Sequence, residues 1–513
     1  MMKKILLALL SSALCSLPLS SFSQKGPIPA HWHKGVTYEI FVRAFADSNG
    51  DGIGDIKGMT RRLDYLQELG VKGVWLMPIS PAPSYHKYDV VDYKDIDPEY
   101  GTMADFKQFV KEAHARDIKV ILDMVPNHSS SLHPWFQAAM KDPNSPYRDY
   151  YVWQDSAKVR GQEHWYSPKD ASGKILGGQK YYGFFWHGMP DLNYDNPKVR
   201  AEMIEAGRFW LKEVGIDGFR LDAVRHVYPD AEAAKNHAWW REFRRELDKV
   251  KPGFFTVGEV WAPDSQVAPY LQQGLHSVFN FDLSFALVKA LQTGDAAGLA
   301  PLHKRIQNLY QTVDPAFVDA TFLTNHDQNR IMSEVAGNTG KAKVAAALLL
   351  TLPGSPFLYY GEELGMTGMK PDEYIREPFL WADSLHSPDR TRWISPKYNT
   401  QETLKPLQEQ QKDQSSLWHH YKTLISLREK NEALHSGVLK PIILPLSQVS
   451  AFRRISPTQR LVVVHNTSDK EVTVAIPGLK KRKTKLLFAS QKIIWQKDQV
   501  VLPGYGSVVL EEK

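Results

Sequence analysis

The chain has 513 residues, of which 43% are hydrophobic and 11% aromatic, and its formal net charge at pH 7 is +6. A chain of this length and composition can bury a large core and is expected to form more than one domain. Its lysines and arginines are scattered among acidic residues and form no basic stripe, so we expect no nucleic-acid partner.

Residues 1 to 23 have the pattern of an export signal. Two lysines form a basic start, Ile5 to Leu10 are apolar, and Ser21-Phe22-Ser23 offers a small-residue cleavage site. The apolar segment is too short to span a bilayer, so we expect no membrane anchor and a periplasmic or extracellular protein. The only cysteine, Cys15, lies inside this signal. A retained anchor or an acylated Cys15 are the alternatives, although Leu14 stands where lipoprotein sites have a small residue.

A β-branched and aromatic run, Val36 to Val42, predicts a first strand. The loop after it, from Asp47 to Asp55, carries oxygen side chains at alternate positions and three glycines. Such oxygens on a tight loop are what a hard cation such as calcium requires. The spacing begins like that of an EF-hand, but Gly58 stands where the closing glutamate would be. A solvated acidic turn is therefore the alternative.

Helix and strand patterns then alternate along the chain. Thr60 to Leu69 predicts a helix, Val71 to Ile79 a buried strand, Ile118 to Val125 another strand, Val199 to Val214 a helix and Ser277 to Asp282 the sixth strand. The repeated units predict a parallel sheet, and their number over about 400 residues favours a closed eight-stranded α/β barrel. In such a barrel the chemistry lies at the carboxyl ends of the strands.

Three predicted strands end in carboxylates. Arg220 and Asp222 lie two residues apart and would share one face of a strand, where the cation favours an ionised, nucleophilic carboxylate. Glu259 ends another apolar strand and has aromatic residues nearby in the sequence, which could raise its pKa towards that of a general acid. Asp327 follows a third strand beside His326. A structural ion pair could explain the first stretch alone, but packing hardly explains all three.

Two regions depart from the alternation of helix and strand. From residue 129 to residue 191 the chain is rich in Trp, Tyr, Gly, Pro and Asp, and so long a connection is expected to be functional. Beyond residue 435 there are only short alternating runs, which predict an antiparallel sandwich at 436–513. These runs are 449–455, 460–465, 471–476, 485–489 and 506–510.

Five stretches carry a resemblance to a known family. They are, by motif, Asp123 to His128, Met189 to Asn193, Gly218 to His226, Gly258 to Val260 and Thr324 to Asp327. Together they reproduce in order the motifs of the alpha-amylase family, glycoside hydrolase family 13, which the sequence resembles over nearly its whole length after the signal. The second stretch looks intermediate between the oligo-1,6-glucosidase and neopullulanase versions of that motif.

The resemblance implies a fold and an active site. The fold would be a (β/α)8 TIM barrel at 24–435, with a small inserted domain after strand three at 129–191, and a C-terminal antiparallel β-sandwich. The resemblance implies retention of anomeric configuration, with Asp222 as nucleophile, Glu259 as acid and then base, and Asp327 stabilising the transition state. The substrate-binding residues implied are His86, Tyr88, His128, Arg220 and His326.

The resemblance also bears on metals. Similar metal-binding loops follow the first strand in the oligo-1,6-glucosidase-like branch, so we predict a structural calcium. Its ligands would be Asp47, Asn49, Asp51, Asp55 and the carbonyl of Ile53. In the family Asn127, Asp191 and the His226 carbonyl can hold a second calcium, which stays an open alternative here. Arg376 stands where related enzymes carry a substrate-contacting arginine, but its Arg-Glu-Pro context differs, so it is not among the predicted residues.

Ala223, directly after the predicted nucleophile, resembles members that act on α-1,4 links, whereas α-1,6-acting members tend to carry Val. We therefore expect an alpha-amylase that acts as a monomer on internal α-1,4 bonds of starch and maltooligosaccharides. An exo-acting α-glucosidase or a transglycosylase of the same fold is the alternative. A non-catalytic sugar-binding protein should lack at least one of the three carboxylates, and all three are present.

Overall fold

The computed structural model describes residues 31–170, 172–382, 387 and 389–513. The predicted export signal and Cys15 lie outside the described residues. Within the described part of the chain, no helix is both long and apolar enough to cross a membrane.

Eight parallel strands close into a barrel in which each strand pairs with the next and the eighth pairs with the first. The strands are β1 (Val36–Ile40), β2 (Val71–Leu76), β3 (Lys119–Met124), β4 (Gly218–Leu221), β5 (Phe255–Gly258), β6 (Ser277–Phe279), β7 (Val318–Phe322) and β8 (Ser355–Tyr359). They are almost wholly buried, because helices cover the outside and side chains fill the inside. The predicted TIM barrel is confirmed.

Helices connect the strands around the barrel. The α-helices are His31–Lys34, Val42–Phe45, Ile56–Arg61, Leu63–Leu69, Met103–Ala115, Pro134–Lys141, Pro197–Arg208, Ala233–Asp248, Asp264–Val267, Phe281–Thr293, Leu299–Val313, Ile331–Glu334, Thr339–Thr351, Asp372–Ile375, Leu407–Gln410, Leu417–Lys430 and Glu432–His435. Short 3₁₀ turns occur at Arg148–Tyr150, Val224–Val227, Asp230–Glu232, Ala268–Leu271, Glu362–Leu364 and Lys481–Lys483.

Several bounds differ from the sequence predictions. The first strand ends at Ile40 and the second at Leu76, and the helix predicted over Thr60 to Leu69 is two helices, Ile56–Arg61 and Leu63–Leu69. The helix predicted to run to Val214 is α-helical only to Arg208 and continues as a π-helix over Phe209–Val214. The sixth strand ends at Phe279 instead of Asp282, because the Asn280 side chain accepts the backbone N–H of Leu283 and caps the next helix.

The interior of the barrel is aromatic below the charged mouth. Trp75, Phe279 and Phe357 lie in one buried cluster, with ring centroids of Trp75 and Phe279 5.3 Å apart. Gly218 allows β4 to approach β5, since a β-carbon there would lie 2.1 Å from the carbonyl oxygen of Phe255. This packing fixes the positions from which the polar residues at the strand ends emerge.

The connection between β3 and β4 forms the inserted domain. It contains the helix Pro134–Lys141 and a three-stranded antiparallel sheet of Trp153–Asp155, Gln179–Tyr182 and Trp165–Tyr166. An isolated bridge between His128 and Asp191 ties the two ends of the insertion together. The domain therefore stands over the carboxyl end of the barrel.

The C-terminal region folds into two antiparallel sheets, which confirms the predicted all-β domain. Its strands are β9 (Val438–Pro441), β10 (Val449–Ile455), β11 (Arg460–Asn466), β12 (Val472–Val474), β13 (Thr484–Ala489), β14 (Ile494–Gln496), β15 (Gln499–Leu502) and β16 (Ser507–Glu512). One sheet has the order β9-β10-β11-β16-β13 and the other β12-β15-β14. Strands β9, β14 and β15 are not among the strands predicted from the sequence.

Candidate active site

The three predicted catalytic carboxylates surround one cavity of about 380 Å³ at the carboxyl end of the barrel. The cavity is lined by His86, Tyr88, His128, Phe185, Trp186, Met189, Asp222, Ala223, Arg225, His226, Glu259, Trp261, Asp327, Asp372 and Arg376. A larger cavity of about 1070 Å³ lies between the inserted domain and the loop after β4, but none of the three carboxylates lines it. The smaller cavity is therefore the candidate active site.

Arg220 is the fully buried centre of the charge network. Its Nη1 lies 2.7 Å from Asp222 Oδ1 and 2.9 Å from Asp123 Oδ1, and its Nη2 lies 2.9 Å from Glu259 Oε2. The sequence predicts a pair of Arg220 with Asp222 alone, whereas in the structure three carboxylates share the one guanidinium. Sharing is needed because each buried charge must be compensated within the protein.

Burial raises the pKa of Asp222, and the Arg220 guanidinium opposes that rise. Burial is also the largest cause that raises the pKa of Glu259; Arg220 opposes it, while the charges of Asp222 and Asp327 add to it. Negative charges close together in a buried site make it unfavourable for all of the carboxyl groups to be ionised at once. One carboxylate can then be ionised while its neighbour keeps a proton.

Two neutral hydrogen-bond donors fix the orientation of the Glu259 carboxyl group. Its Oε2 accepts the backbone N–H of Ala223 at 3.1 Å, and its Oε1 accepts the indole N–H of Trp261 at 2.9 Å. Ala223 has φ +48° and ψ +36°, the left-handed region that an L-residue other than glycine adopts only at a cost. This backbone conformation places Asp222 and the donor to Glu259 side by side.

Asp327 has a different environment. Its Oδ2 lies 3.1 Å from His326 Nε2, and its Oδ1 accepts from Arg376 Nη2 at 2.9 Å. Burial would raise the pKa of Asp327, but His326 and Arg376 outweigh burial and hold the pKa well below its usual range. Asp327 is therefore ionised beside two cations.

Arg376 belongs to this site although sequence analysis left it out. It is buried, its Nε donates to the His326 carbonyl at 3.0 Å, and its Nη2 holds Asp327. Arg376 lies 49 residues after Asp327, so no local pattern in the sequence indicates that the two side chains pair. Its position after β8 was the available signal, and the unfamiliar Arg-Glu-Pro context was the reason for discounting it.

The predicted substrate-binding residues divide into two groups. His86, Tyr88 and His128 line the cavity, whereas Arg220 and His326 are absent from its lining residues and are fully buried behind it. Burial lowers the pKa of both His86 and His128 to about 4, so both rings are neutral near pH 7. The roles of all five residues in substrate binding stay predictions.

The predicted calcium loop has hard oxygen donors, which suit calcium by chemistry. Asp47 accepts the backbone N–H groups of Asn49, Gly50 and Gly52, and Asp55 accepts those of Ser48 and Gly58. Over the described ranges, no group of three or more His, Cys, Asp and Glu side chains is arranged so that it could hold a metal. Calcium on Asp47, Asn49, Asp51, Ile53 and Asp55 therefore stays a prediction.

The alternative second metal position lies between the barrel and the inserted domain. Asp191 is buried, and burial raises its pKa to about 7. The backbone N–H of Phe184 donates to it at 3.0 Å, and the side-chain oxygen of Asn127 is buried without a hydrogen-bond partner. These contacts leave the alternative open.

The strand ends of the barrel bring Asp222 and Glu259 to one arginine, and Asp327 lines the same cavity. This arrangement is the framework of a glycoside hydrolase. Residues 39–437 match the sequence pattern of the alpha-amylase catalytic domain, and residues 449–509 match that of the alpha-amylase SusG C-terminal domain. The chain belongs to the alpha-amylase family.

Individual relatives agree with this assignment. The chain is 42% identical to alpha-amylase 3 of Dictyoglomus thermophilum over 94% of each protein. It is 34% identical to a 4-alpha-glucanotransferase of Thermotoga neapolitana, over 85% of this chain and 96% of that protein. The crystal structure of an alpha-amylase from H. orenii matches with a TM-score of 0.84 and 42% identity, covering 94% of this chain and all of that one. Oligo-1,6-glucosidases also match, so family membership alone leaves the specificity open.

Proposed function

We propose that the protein is an alpha-amylase that hydrolyses internal α-1,4-glucosidic bonds of starch and maltooligosaccharides with retention of configuration. The observation that carries the proposal is the single Arg220 guanidinium that bridges Asp222 and Glu259. One bridging guanidinium keeps the two carboxylates close, as the separation of about 5–5.5 Å in retaining glycosidases requires. Inverting enzymes need a wider gap that admits a water molecule.

In the first step, the carboxylate of Asp222 attacks the anomeric carbon while Glu259 gives its proton to the glycosidic oxygen. The bond from that carbon to the leaving sugar breaks, and a glycosyl ester forms on Asp222. The raised pKa of Glu259 supports its role as acid. The ionised Asp327 stabilises the positive charge that develops on the sugar ring.

In the second step, Glu259, now ionised, takes a proton from water while the water oxygen attacks the anomeric carbon. The ester to Asp222 breaks, and the carboxylate is regenerated. His86, Tyr88 and His128 hold the sugar whose bond is cleaved, with Tyr88 presenting an aromatic face to the C–H groups of the ring.

Exposed aromatic rings support a substrate of several sugar units. Phe185, Trp186 and Trp261 line the cavity and are 45%, 41% and 42% exposed. Trp261 donates to Glu259, so it stands on the side where the leaving sugar would be. Flat apolar surfaces at the rim give a chain places to stack on either side of the cleaved bond. A closed pocket for a terminal sugar would leave these rings without a ligand.

The proposal includes the calcium predicted from the sequence. Asp47, Asn49, Asp51, Asp55 and the Ile53 carbonyl would hold it, and its role would be to stabilise the loop after β1. We also propose that the chain carries an export signal and is located in the periplasm or outside the cell. It would act as a monomer on an α-glucan.

A time course of products tests the specificity. Soluble starch should give mixed oligosaccharides at early times, maltose and isomaltose should be poor substrates, and the newly formed reducing ends should have the α configuration by NMR. Glucose as the only early product would show an exo-acting α-glucosidase. Products longer than a maltooligosaccharide substrate, formed without new reducing ends, would show a transglycosylase.

A further inference from the structure

Glu39 is a buried acid for which the proposed mechanism has no role. It lies in β1, is 2% exposed, and is in register with Trp75 of β2 and Tyr359 of β8. Its Oε1 lies 2.5 Å from Nδ1 of His326, which is 287 residues away in sequence. A glutamate inside the barrel is costly to bury, so its contact with an imidazole calls for an explanation.

Both ring nitrogens of His326 face carboxylates. Nδ1 faces Glu39, and Nε2 lies 3.1 Å from Asp327 Oδ2 and 2.7 Å from the hydroxyl of Tyr88. A neutral imidazole carries a proton on one nitrogen only, so one of the two contacts would set a lone pair against a carboxylate oxygen. Only the imidazolium can donate to both.

The protonation of His326 sets the direction of a longer hydrogen-bond chain. When Nε2 donates to the hydroxyl of Tyr88, that hydroxyl is free to donate to Asp123 Oδ2 at 3.0 Å. Asp123 in turn is held by Arg220, the residue that bridges Asp222 and Glu259. If Nε2 lost its proton, Tyr88 would donate to His326 and Asp123 would lose a donor.

We propose that Glu39 is a positioning residue for the reaction: it holds His326 as an imidazolium, and His326 then orients both Asp327 and Tyr88. The pair also tunes the charge of the site. At a pH where His326 keeps its proton, removing the Glu39 charge would remove one negative charge from a site that must stabilise a positive sugar ring. The inference rests on the proposed function for its effect on catalysis, but the state of His326 can be measured without substrate.

The electrostatics of His326 agree with the geometry. Burial lowers the pKa of His326, but the carboxylates of Asp327 and Glu39 outweigh burial and raise the pKa to about 10. Burial raises the pKa of Glu39, and the His326 cation opposes it. The other charged and titratable groups that act on the pair, from every side of the barrel, are Tyr88, Asp123, Arg220, Asp222, Tyr359 and Glu362.

Substitution Glu39→Gln keeps the shape of the side chain and removes its charge. We expect kcat for maltooligosaccharides to fall by about 10- to 100-fold, by analogy with the loss of hydrogen-bond partners that orient metal-ligating side chains. KM should change little, because Glu39 touches no substrate. The alkaline limb of the pH–activity profile should move to lower pH, because His326 would lose its proton within the working range. Glu39→Asp, which restores the charge, should recover part of both effects.

Glu363→Gln is the matched control. Glu363 is also a fully buried glutamate near β1, but it accepts from the hydroxyl of Tyr38 and that of Tyr65, outside the network of His326. It should change stability without moving the pH–activity profile. If Glu363→Gln and Glu39→Gln shift the profile equally, a specific role for Glu39 is wrong.

A measurement on the unsubstituted protein decides the proposal even if Glu39→Gln does not fold or the chain proves to act on another sugar. The ¹⁵N chemical shifts of His326 should show both ring nitrogens protonated at pH 8. A ring that titrates near the ordinary histidine value would overturn the inference. Failure of the starch assay with a protonated His326 would instead count against the proposed function alone.

Discussion

At the scale of single residues, different surroundings give the three carboxylates of the site different pKa values. Asp327 faces two cations and stays ionised, whereas Glu259 is held by two neutral donors and shares one guanidinium with its neighbours. Environments that push pKa values apart assign acid and base roles to chemically similar groups. The raised pKa of Glu259 lets its acid form persist to higher pH than an exposed glutamate would allow.

The role of Glu259 as acid can be tested through the leaving group. Glu259→Gln should lower kcat/KM for maltooligosaccharides by about 10²–10⁴-fold, because an amide is far too weak an acid to protonate the glycosidic oxygen. The first step with α-glucosyl fluoride should be far less affected, since fluoride leaves without a proton. A burst of fluoride measured with an ion-selective electrode checks this.

Asp222→Asn is the companion variant for this experiment. It should abolish the reaction of both substrates, because no ester can form. Equal losses for both substrates in Glu259→Gln would contradict the assignment of Glu259 as the acid.

At the scale of elements, the loop after β1 and the turn after β8 carry buried acidic side chains. The loop after β1 ends in two buried carboxylates, Asp47 and Asp55, which also accept backbone N–H groups. The turn after β8 carries Glu362, whose Oε1 accepts from the Tyr421 hydroxyl at 2.8 Å. Its Oε2 is buried without a hydrogen-bond partner.

Calcium removal should lower the stability of the protein. If the loop from Asp47 to Asp55 binds calcium, saturation at a hundredfold excess over the dissociation constant stabilises the fold by about 2.7 kcal/mol. Thermal unfolding in EGTA and in calcium should differ by this amount, and Asp47→Asn should abolish the difference. Asp92→Asn, at an exposed position, should preserve it. An EGTA-insensitive melting temperature would leave the solvated acidic turn as the better interpretation.

Glu362 should make stability depend on pH. Burial, aided by the charge of Glu363, raises its pKa to about 8, while Tyr421 opposes the rise. At pH values between about 4.5, the pKa of Glu362 in the unfolded chain, and about 8, its pKa in the folded protein, the folded protein holds a proton on Glu362 that the unfolded chain releases. The stabilisation is therefore fully present below the unfolded pKa and is lost as pH rises towards 8, at about 1.4 kcal/mol per pKa unit.

Glu362→Gln mimics the protonated form and should remove this dependence. Urea unfolding should show the variant gaining stability relative to the unsubstituted protein between pH 5 and pH 8. Glu402→Gln, at an exposed position, should show no such gain. A stability difference that stays constant across this range would rule out a buried proton on Glu362.

At the scale of the whole molecule, a buried arginine joins the C-terminal sheets to the barrel. Arg454 in β10 is fully buried, and its Nη1 donates to the Thr351 carbonyl at 2.6 Å while its Nη2 donates to Gly437 at 3.0 Å. Thr351 ends the helix before β8, where the dipole favours a cation. The C-terminal domain is thereby fastened to an element that supports the active site.

Arg454→Met should leave two buried carbonyls without these donors, at a cost of about 1–3 kcal/mol each. Urea unfolding followed by circular dichroism should show that loss, and starch hydrolysis should persist under conditions where the protein stays folded. Arg460→Met, in the neighbouring strand β11 but exposed, is the control and should have a small effect. Similar losses in the two variants would mean that the contact with Thr351 does not fasten the domains.

Sequence patterns predicted much of this architecture because strands and helices depend on local periodicity. The runs at 449–455 and 460–465 became β10 and β11 with little change at their ends. The missed strands β14 and β15 are short and joined by Lys497, which has φ +57°, and Asp498, so no run of alternating residues was long enough to be seen. Strand β9 contains Pro441, which weakens its strand pattern.

The sequence by itself determined the family, the barrel and the three carboxylates at strand ends, because each motif is a local run whose chemistry can be recognised without its neighbours. Only the tertiary structure decided that Arg220 serves three carboxylates, that Arg376 holds Asp327, and that Glu39 meets His326. The physical reason is that the partners lie on different strands and loops. Glu39 and His326, 287 residues apart, meet because the barrel closes between β8 and β1, whereas Arg220 and Arg376 reach carboxylates on or after neighbouring strands. No local pattern specifies which side chains then share a buried charge.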